Sequence, residues 1–161
     1  MRVIKTILVP TDFSAASKRA LRYACDVADA FGASVHVMHV LVNPFGPGAF
    51  MEMYAPPSDD YLEKIDRQAR AELDAQLTAE EKVKYSAVFI IRMGTPAQEI
   101  LEYVREHGTI DLVVMATAGR GGVARLLMGS VADKIVRAAP CPVLTLHPED
   151  QANAEFTYRA A

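Results

Sequence analysis

Cysteine is scarce in this chain: Cys25 and Cys141 are the only two in 161 residues. Two are too few for a disulfide framework, and they stand at no zinc-binding spacing. Cys25 falls on a helical pattern and reads as a small apolar residue. Long hydrophobic runs are missing too. The apolar stretches are strand-sized, which excludes a membrane-spanning helix and leaves no membrane partner. The opening Met1-Arg2-Val3-Ile4-Lys5-Thr6 has neither the apolar core nor the cleavage site of a secretory signal, so the expected location is cytoplasmic. Basic charge is not in surplus either. The net charge is −3 and the Lys and Arg residues are scattered, which argues against nucleic acid as a partner. There is no internal repeat and no low-complexity tract.

Catalytic constellations are equally absent. No Ser, His and acidic trio, no paired carboxylates near the loops and no Walker lysine after the glycines can be read, so no catalytic residue is assigned. His36 and His39 lie an odd number apart on a strand pattern and face opposite sides of a sheet, which rules out a shared metal. His107 falls near a helix C-terminus and His147 ends the last strand. No metal ligands are expected.

What the chain does have is alternation. Apolar runs at 3–9, 34–41, 85–91, 112–116 and 143–146 read as strands. Between the first two, Leu21, Cys25, Ala28 and Phe31 recur at helical spacing, and Gly32 stands where a helix would stop. Ser58 opens a second helix carrying Leu62, Ile65, Ala69 and Leu73 on one face. Thr95-Pro96-Ala97-Gln98 has the form of a capping box with proline at the first helical position. A fourth helix starts at Gly129-Ser130, buries Val131, Ile135 and Val136, and is stopped by Pro140 and Pro142. Strands that are nearly continuous Val, Ile and Leu, alternating with helices, describe a doubly wound α/β fold: a five-stranded parallel sheet with helices on both faces. We expect one domain over residues 1–147. The tail at 148–161 has weak periodicity and reads as loosely ordered or docked on a partner chain. The segment 43–57 is long for a connection inside a domain and holds two Phe, two Met and a Tyr.

Ligands of doubly wound sheets bind beyond the carboxyl ends of the strands, where the winding reverses. Two loops qualify. Pro10-Thr11-Asp12-Phe13-Ser14 follows the first strand. Met115-Ala116-Thr117-Ala118-Gly119-Arg120-Gly121-Gly122 leaves the fourth and leads to Gly129-Ser130-Val131 at a helix N-terminus. A glycine-rich loop feeding a helix N-terminus is a phosphate-binding arrangement, because unpaired N–H groups and the positive end of the helix dipole meet there. Ser130 adds a hydroxyl donor, or else caps the helix. Arg120 and Arg125 are candidates for neutralising phosphate charge. Asp12 either accepts hydrogen bonds from a ligand or caps the first helix.

Taken together, Ile7-Leu8-Val9-Pro10-Thr11-Asp12-Phe13-Ser14, His39-Val40, Gly119 with Gly129-Ser130-Val131, and Ala138-Ala139-Pro140-Cys141-Pro142-Val143-Leu144 resemble the universal stress protein family over roughly residues 2–147. The resemblance implies a Rossmann-like fold of the adenine nucleotide α-hydrolase type with strand order 3-2-1-4-5. It also implies a homodimer through the last strand and, in the ATP-binding branch, a nucleotide site for ATP with Mg2+ as an optional companion. Pro10, Thr11, Asp12 and the backbone of Val40 would then face the adenosine part. Met115, Ala116, Thr117, Gly119, Arg120, Gly129, Ser130 and Val131 would line the phosphate side. That branch carries Gly-x-x-Gly, a nine-residue spacer, Gly and then Ser or Thr. Anchored on Gly129-Ser130, the second glycine falls on Gly119 and the first on Ala116. Where the first position needs a positive φ or close backbone approach, the alanine methyl is a penalty. Reading Gly119-x-x-Gly122 instead loses the spacing to Gly129. The implied role is an ATP-binding stress sensor or adaptor with an unidentified protein partner. The alternatives are a family member that has lost tight nucleotide binding and acts through protein contacts alone, or a slow nucleotide hydrolase.

Overall fold

Ile7, Leu8 and Val9 follow one another in strand β1 (Thr6–Pro10), and all three are fully buried. Successive strand residues point to opposite faces, so such a run demands a cover on each side. Ile7 and Val9 enter one core, and Leu8 enters another. The computed structural model describes residues 3–42, 59–117 and 129–147. After β1 come α1 (Ala15–Phe31), β2 (Ser34–Leu41), α2 (Asp59–Asp74), α3 (Ala79–Lys84), β3 (Val88–Met93), α4 (Pro96–Glu106), β4 (Leu112–Ala116), α5 (Ser130–Ala138) and β5 (Val143–Leu146). The strands form one sheet in the order β3-β2-β1-β4-β5, and every pairing is parallel. The strand order implied by the family resemblance is the one found. The segment 43–57, the tail and the glycine-rich stretch at 118–128 lie outside the described residues.

The first core joins Leu21, Ala24, Cys25 and Ala28 of α1 and Leu73 of α2 to Val35, Val37 and Val114. The second joins Ala97, Ile100, Tyr103 and Val104 of α4 and Ala132 and Ile135 of α5 to Leu8, Met38, Val40, Val113 and Met115. Burial of each large aliphatic side chain in these layers contributes about 1.5–3 kcal/mol. The Cys25 thiol is pushed up to about 11 by burial, so at neutral pH it stays protonated and serves as an apolar filler.

Element ends differ from expectation for local reasons. β1 starts at Thr6 rather than Val3, because the Lys5 and Thr6 N–H groups donate to the Asp111 carboxylate at 2.8 and 3.1 Å instead of to a neighbouring strand. Gly32 stops α1 as expected, in the left-handed conformation at φ 66 with its N–H on the Ala28 carbonyl. Phe31 and Val136, expected on buried helix faces, are each 45% exposed. The capping box at Thr95 does not form: Thr95 makes no side-chain cap, and the Gln98 amide donates to Glu102 at 3.0 Å.

Helix α3 was not foreseen, and the third strand is displaced by it. Its start is a capping box: Thr78 Oγ1 accepts the Glu81 N–H at 3.2 Å, and the Glu81 carboxylate accepts the Thr78 N–H at 2.8 Å. Its end is Tyr85, followed by Ser86 at φ 44, with the Ala87 N–H on the Lys82 carbonyl at 2.9 Å. That turn occupies 85–87, so β3 begins at Val88 instead of Tyr85. Arg22 of α1 clasps the short helix through Glu81 at 2.6 Å and the Gln76 carbonyl at 2.8 Å. Thr78→Ala removes the cap and is expected to cost about 1 kcal/mol of stability in urea unfolding. An unchanged midpoint would mean that the capping box does not hold α3.

Candidate functional site

The winding reverses between β1 and β4. From β1 the chain steps outward through β2 to β3 beneath α1 and α2, and from β4 it steps the other way to β5 beneath α5. Because β1 and β4 are parallel neighbours, pairing Ile7 with Leu112 and Leu8 with Val113, the loops that follow them leave the sheet at the same edge. This is where a doubly wound sheet takes its ligand.

On the β1 side the loop is tightly built. Pro10 ends the strand, and the Thr11 N–H donates to the Met38 carbonyl at 2.8 Å, so β2 goes on holding the chain beyond the strand proper. The Thr11 hydroxyl, buried, stands 3.1 Å from that of Ser17 and accepts the Phe13 N–H at 3.1 Å. His39 Nδ1 lies 2.8 Å from the Thr11 carbonyl. A carbonyl only accepts, so Nδ1 carries the proton. Phe13 adopts φ 64, which costs an L-residue roughly 1–2 kcal/mol, and its ring lies 4.2 Å from the His39 ring at 30°.

Ser14, not Asp12, caps α1. The Ser14 hydroxyl accepts the Ser17 N–H at 3.2 Å, while Asp12 Oδ1 accepts the Ser14 N–H at 3.0 Å in an Asx turn. Asp12 therefore stands at the tip of the loop, ahead of the helix, and of its two alternative roles helix capping falls to Ser14. Val40, in the penultimate position of β2, is buried in the second core beside Met115.

On the β4 side, Met115 and Ala116 are the last two strand residues and pair with Thr145 and Leu146. Met115 is buried, and Ala116 packs on the first core. Ala116 is not among the non-glycine residues with positive φ, so the backbone strain feared at this position does not arise. Thr117 links three elements: its N–H and hydroxyl both donate to the Leu146 carbonyl, at 2.9 and 3.2 Å, and its own carbonyl accepts the Gly129 N–H at 2.7 Å. Gly129 is the N-cap of α5 at φ −59, a conformation open to any residue. Its need for glycine is steric: a Cβ there would lie 2.9 Å from the Thr117 carbonyl oxygen.

The N-cap residue of the helix that starts there, being glycine, offers no side-chain cap. The N–H groups of Ser130, Val131 and Ala132 have no acceptor within the helix. Ser130 is the first helical residue, not the cap, and is exposed; Val131 is half-buried against the second core. These donors, behind an N-cap glycine that brings no capping side chain of its own, fit an anionic group of a ligand. Gly119, Arg120 and Arg125 lie outside the described residues.

His36 and His39 do face opposite sides of the sheet. His36 Nδ1 meets the Tyr103 hydroxyl at 2.8 Å, whereas His39 turns toward Thr11 and Phe13. Tyr103 is itself stacked on His107 with ring centroids 4.0 Å apart and carries the Arg92 guanidinium 5.2 Å above its ring.

A doubly wound parallel sheet, with a polar loop and a helix N-terminus meeting at its reversal, defines an α/β domain of the Rossmann-like class. The model of the universal stress protein family matches residues 4–147, and the chain belongs to that family. A universal stress protein of Methanocaldococcus jannaschii is 33% identical over 150 residues, covering 88% of this chain and 81% of the relative. One from Thermus aquaticus is 34% identical over 151 residues, covering 88% and 98%. Among solved structures, the universal stress protein UspA of Lactobacillus plantarum superposes with TM-score 0.72 at 26% identity, covering 91% of this chain and 99% of that one. Two further structures share the fold. One is a universal stress protein in complex with cAMP, with TM-score 0.65, 23% identity and coverage of 91% and 99%. The other is the Archaeoglobus fulgidus protein in complex with dAMP, with TM-score 0.56, 22% identity and coverage of 89% and 98%.

Burial, and secondarily the charge of His107, holds His36 below its ordinary value of 6.5. The unfolded chain therefore takes up a proton near pH 6.5 that the folded chain resists, and stability falls as pH drops below that point. Between pH 7.5 and 5.5 the thermal midpoint of the wild type should decline, and in His36→Asn it should decline less. Identical slopes for the two proteins would show that His36 does not set this dependence.

Proposed function

We propose that this chain is a cytoplasmic, dimeric stress-response sensor or adaptor that binds ATP across the carboxyl ends of β1 and β4. The observation that carries the reading is the N-terminus of α5, which opens on a glycine with no side chain to cap it and is held by Thr117 at the same sheet edge as the Asp12 loop. The family's complexes with cAMP and dAMP support an adenine nucleotide as the ligand class.

In this reading Pro10, Thr11, Asp12 and the Val40 backbone receive the adenosine part. Met115, Ala116 and Thr117 form the floor, and Gly119, Arg120, Gly129, Ser130 and Val131 receive the phosphates, with Mg2+ as an optional companion. The donors at Ser130 and Val131 lose nothing by turning to phosphate, since the helix offers them no acceptor. Loss of nucleotide binding through Ala116 was the competing reading. Its backbone at that residue is ordinary strand, which removes the conformational part of that case.

Gly129→Ala places a methyl group against the Thr117 carbonyl and must push the start of α5 away. We expect a cost of about 1–3 kcal/mol in stability. ATP affinity by isothermal titration should fall tenfold or more, taking a loss of about 1.4 kcal/mol as the threshold. Unchanged ATP affinity in this variant would contradict the site.

For assembly, β5 is an edge strand whose four residues are all half-exposed, and Val136 of the adjoining α5 is exposed beside it. A bare apolar edge invites uncontrolled pairing unless a partner covers it. A two-fold copy presenting the same strand satisfies both chains. Sedimentation velocity at micromolar concentration should give a dimer, with or without ATP; a monomer under both conditions rules this assembly out.

A further inference from the structure

Both neighbours of Asp12 are held by one side chain on a different strand. His39 Nδ1 donates to the carbonyl of Thr11, immediately before Asp12, at 2.8 Å. The His39 ring packs at 4.2 Å against the ring of Phe13, immediately after it. Phe13 sits at φ 64, a conformation that an L-residue keeps only where its surroundings impose it. Local bonds add to this: the Phe13 N–H on the Thr11 hydroxyl at 3.1 Å and the Ser14 N–H on Asp12 Oδ1 at 3.0 Å. With the bond from the Thr11 N–H to Met38, the His39 contacts tie this loop to β2.

We propose that His39 is a positioning residue for Asp12, fixing the loop tip through the Thr11 carbonyl and the Phe13 ring so that the carboxylate is presented in one geometry to the ligand. The proposal rests on the reading of this loop as the adenosine end of the site. It assigns the imidazole its Nδ1-protonated form and no direct contact with ligand. A preorganised loop spares the binding step the ordering of its own backbone, so loosening it weakens every ligand that uses the adenosine end by the same factor.

The test compares His39→Leu, which keeps bulk and loses the donor, with His39→Asn, whose side-chain amide puts an N–H near the place of Nδ1. Titration with adenosine and with ATP is run on both variants, on the wild type and on Gly129→Ala. His39→Leu should weaken adenosine and ATP alike, by roughly tenfold for one lost hydrogen bond. His39→Asn should stay within about threefold of wild type. Gly129→Ala should weaken ATP and spare adenosine. Wild-type affinity in His39→Leu, no recovery in His39→Asn, or a loss confined to ATP would overturn the proposal. Amide hydrogen exchange on the ligand-free proteins gives a readout that does not depend on nucleotide. The Phe13 and Ser14 amides should exchange faster in His39→Leu and at the wild-type rate in His39→Asn. If the wild type binds neither adenosine nor ATP, the nucleotide reading falls, and the exchange rates alone decide whether His39 positions the loop. Exchange unaltered in His39→Leu overturns it.

Discussion

The pairing of β1 with β4 is the constraint on which the rest of the structure depends. It is short, pairing Ile7 with Leu112 and Leu8 with Val113, and it is reinforced at its start by a reciprocal clasp. The Asp111 carboxylate accepts the Lys5 and Thr6 N–H groups while the Asp111 N–H donates to the Thr6 carbonyl at 3.0 Å. These bonds bring the beginning of the chain against a segment more than a hundred residues later. The other pairings lie to either side of it, β1 with β2 and β2 with β3 on one side and β4 with β5 on the other. Remove this contact and the two halves keep their helices but lose the common edge at which their loops meet.

The helix starts are of two kinds, and α4, where Thr95 makes no side-chain cap, goes with α5. α1 is capped by Ser14 and α3 by Thr78, each through a side-chain oxygen on a backbone N–H. α5 begins at a glycine and has no such cap, although serine, the residue type that caps α1, is the next residue in the chain. Shifting the helix start by one residue would let Ser130 cap it and satisfy a donor. The Gly129 N–H bond to Thr117 prevents that, because it fixes the glycine at the turn and makes Ser130 the first residue of the helix. The helix thus forgoes about 1 kcal/mol of the stabilisation a serine cap gives; in the nucleotide reading proposed above, phosphate oxygens would take up those N–H groups.

Sequence reads well where one physical rule acts alone. Ile7-Leu8-Val9 announced a doubly covered strand, Gly32 the left-handed end of α1, and Leu62, Ile65, Ala69 and Leu73 the inward stripe of α2. It reads poorly where rules compete. Thr78 and Glu81 form a capping box within a charged stretch with no apolar stripe, so α3 carries no periodicity to reveal it, and burial of Tyr85 lent the following turn the look of a strand. Thr95 and Gln98 have the same spacing and form no cap, since Glu102 one turn on competes for the Gln98 amide. For the site, the sequence marks Asp12 and Gly129 but not the work of His39. Nothing local to residue 39 tells that its ring turns to a loop twenty-eight residues earlier.

Glycine motifs conflate two requirements that this structure separates. One is conformational, a positive φ closed to residues with a Cβ; the other is steric, a backbone approach that a Cβ would obstruct. Gly129 belongs to the second kind, since its φ of −59 is ordinary and the Thr117 carbonyl fills the space a Cβ would take. Ala116 shows why a glycine can be dispensed with at the other end of the motif. As the last residue of β4 it pairs with Leu146 and packs on the first core, so its methyl group has a place in the fold that glycine would leave empty. The spacing that relates the two positions therefore records a strand end and a helix start held together through Thr117. Its chemical content lies at the helix start, where close backbone approach coincides with N–H groups that have no acceptor within the helix.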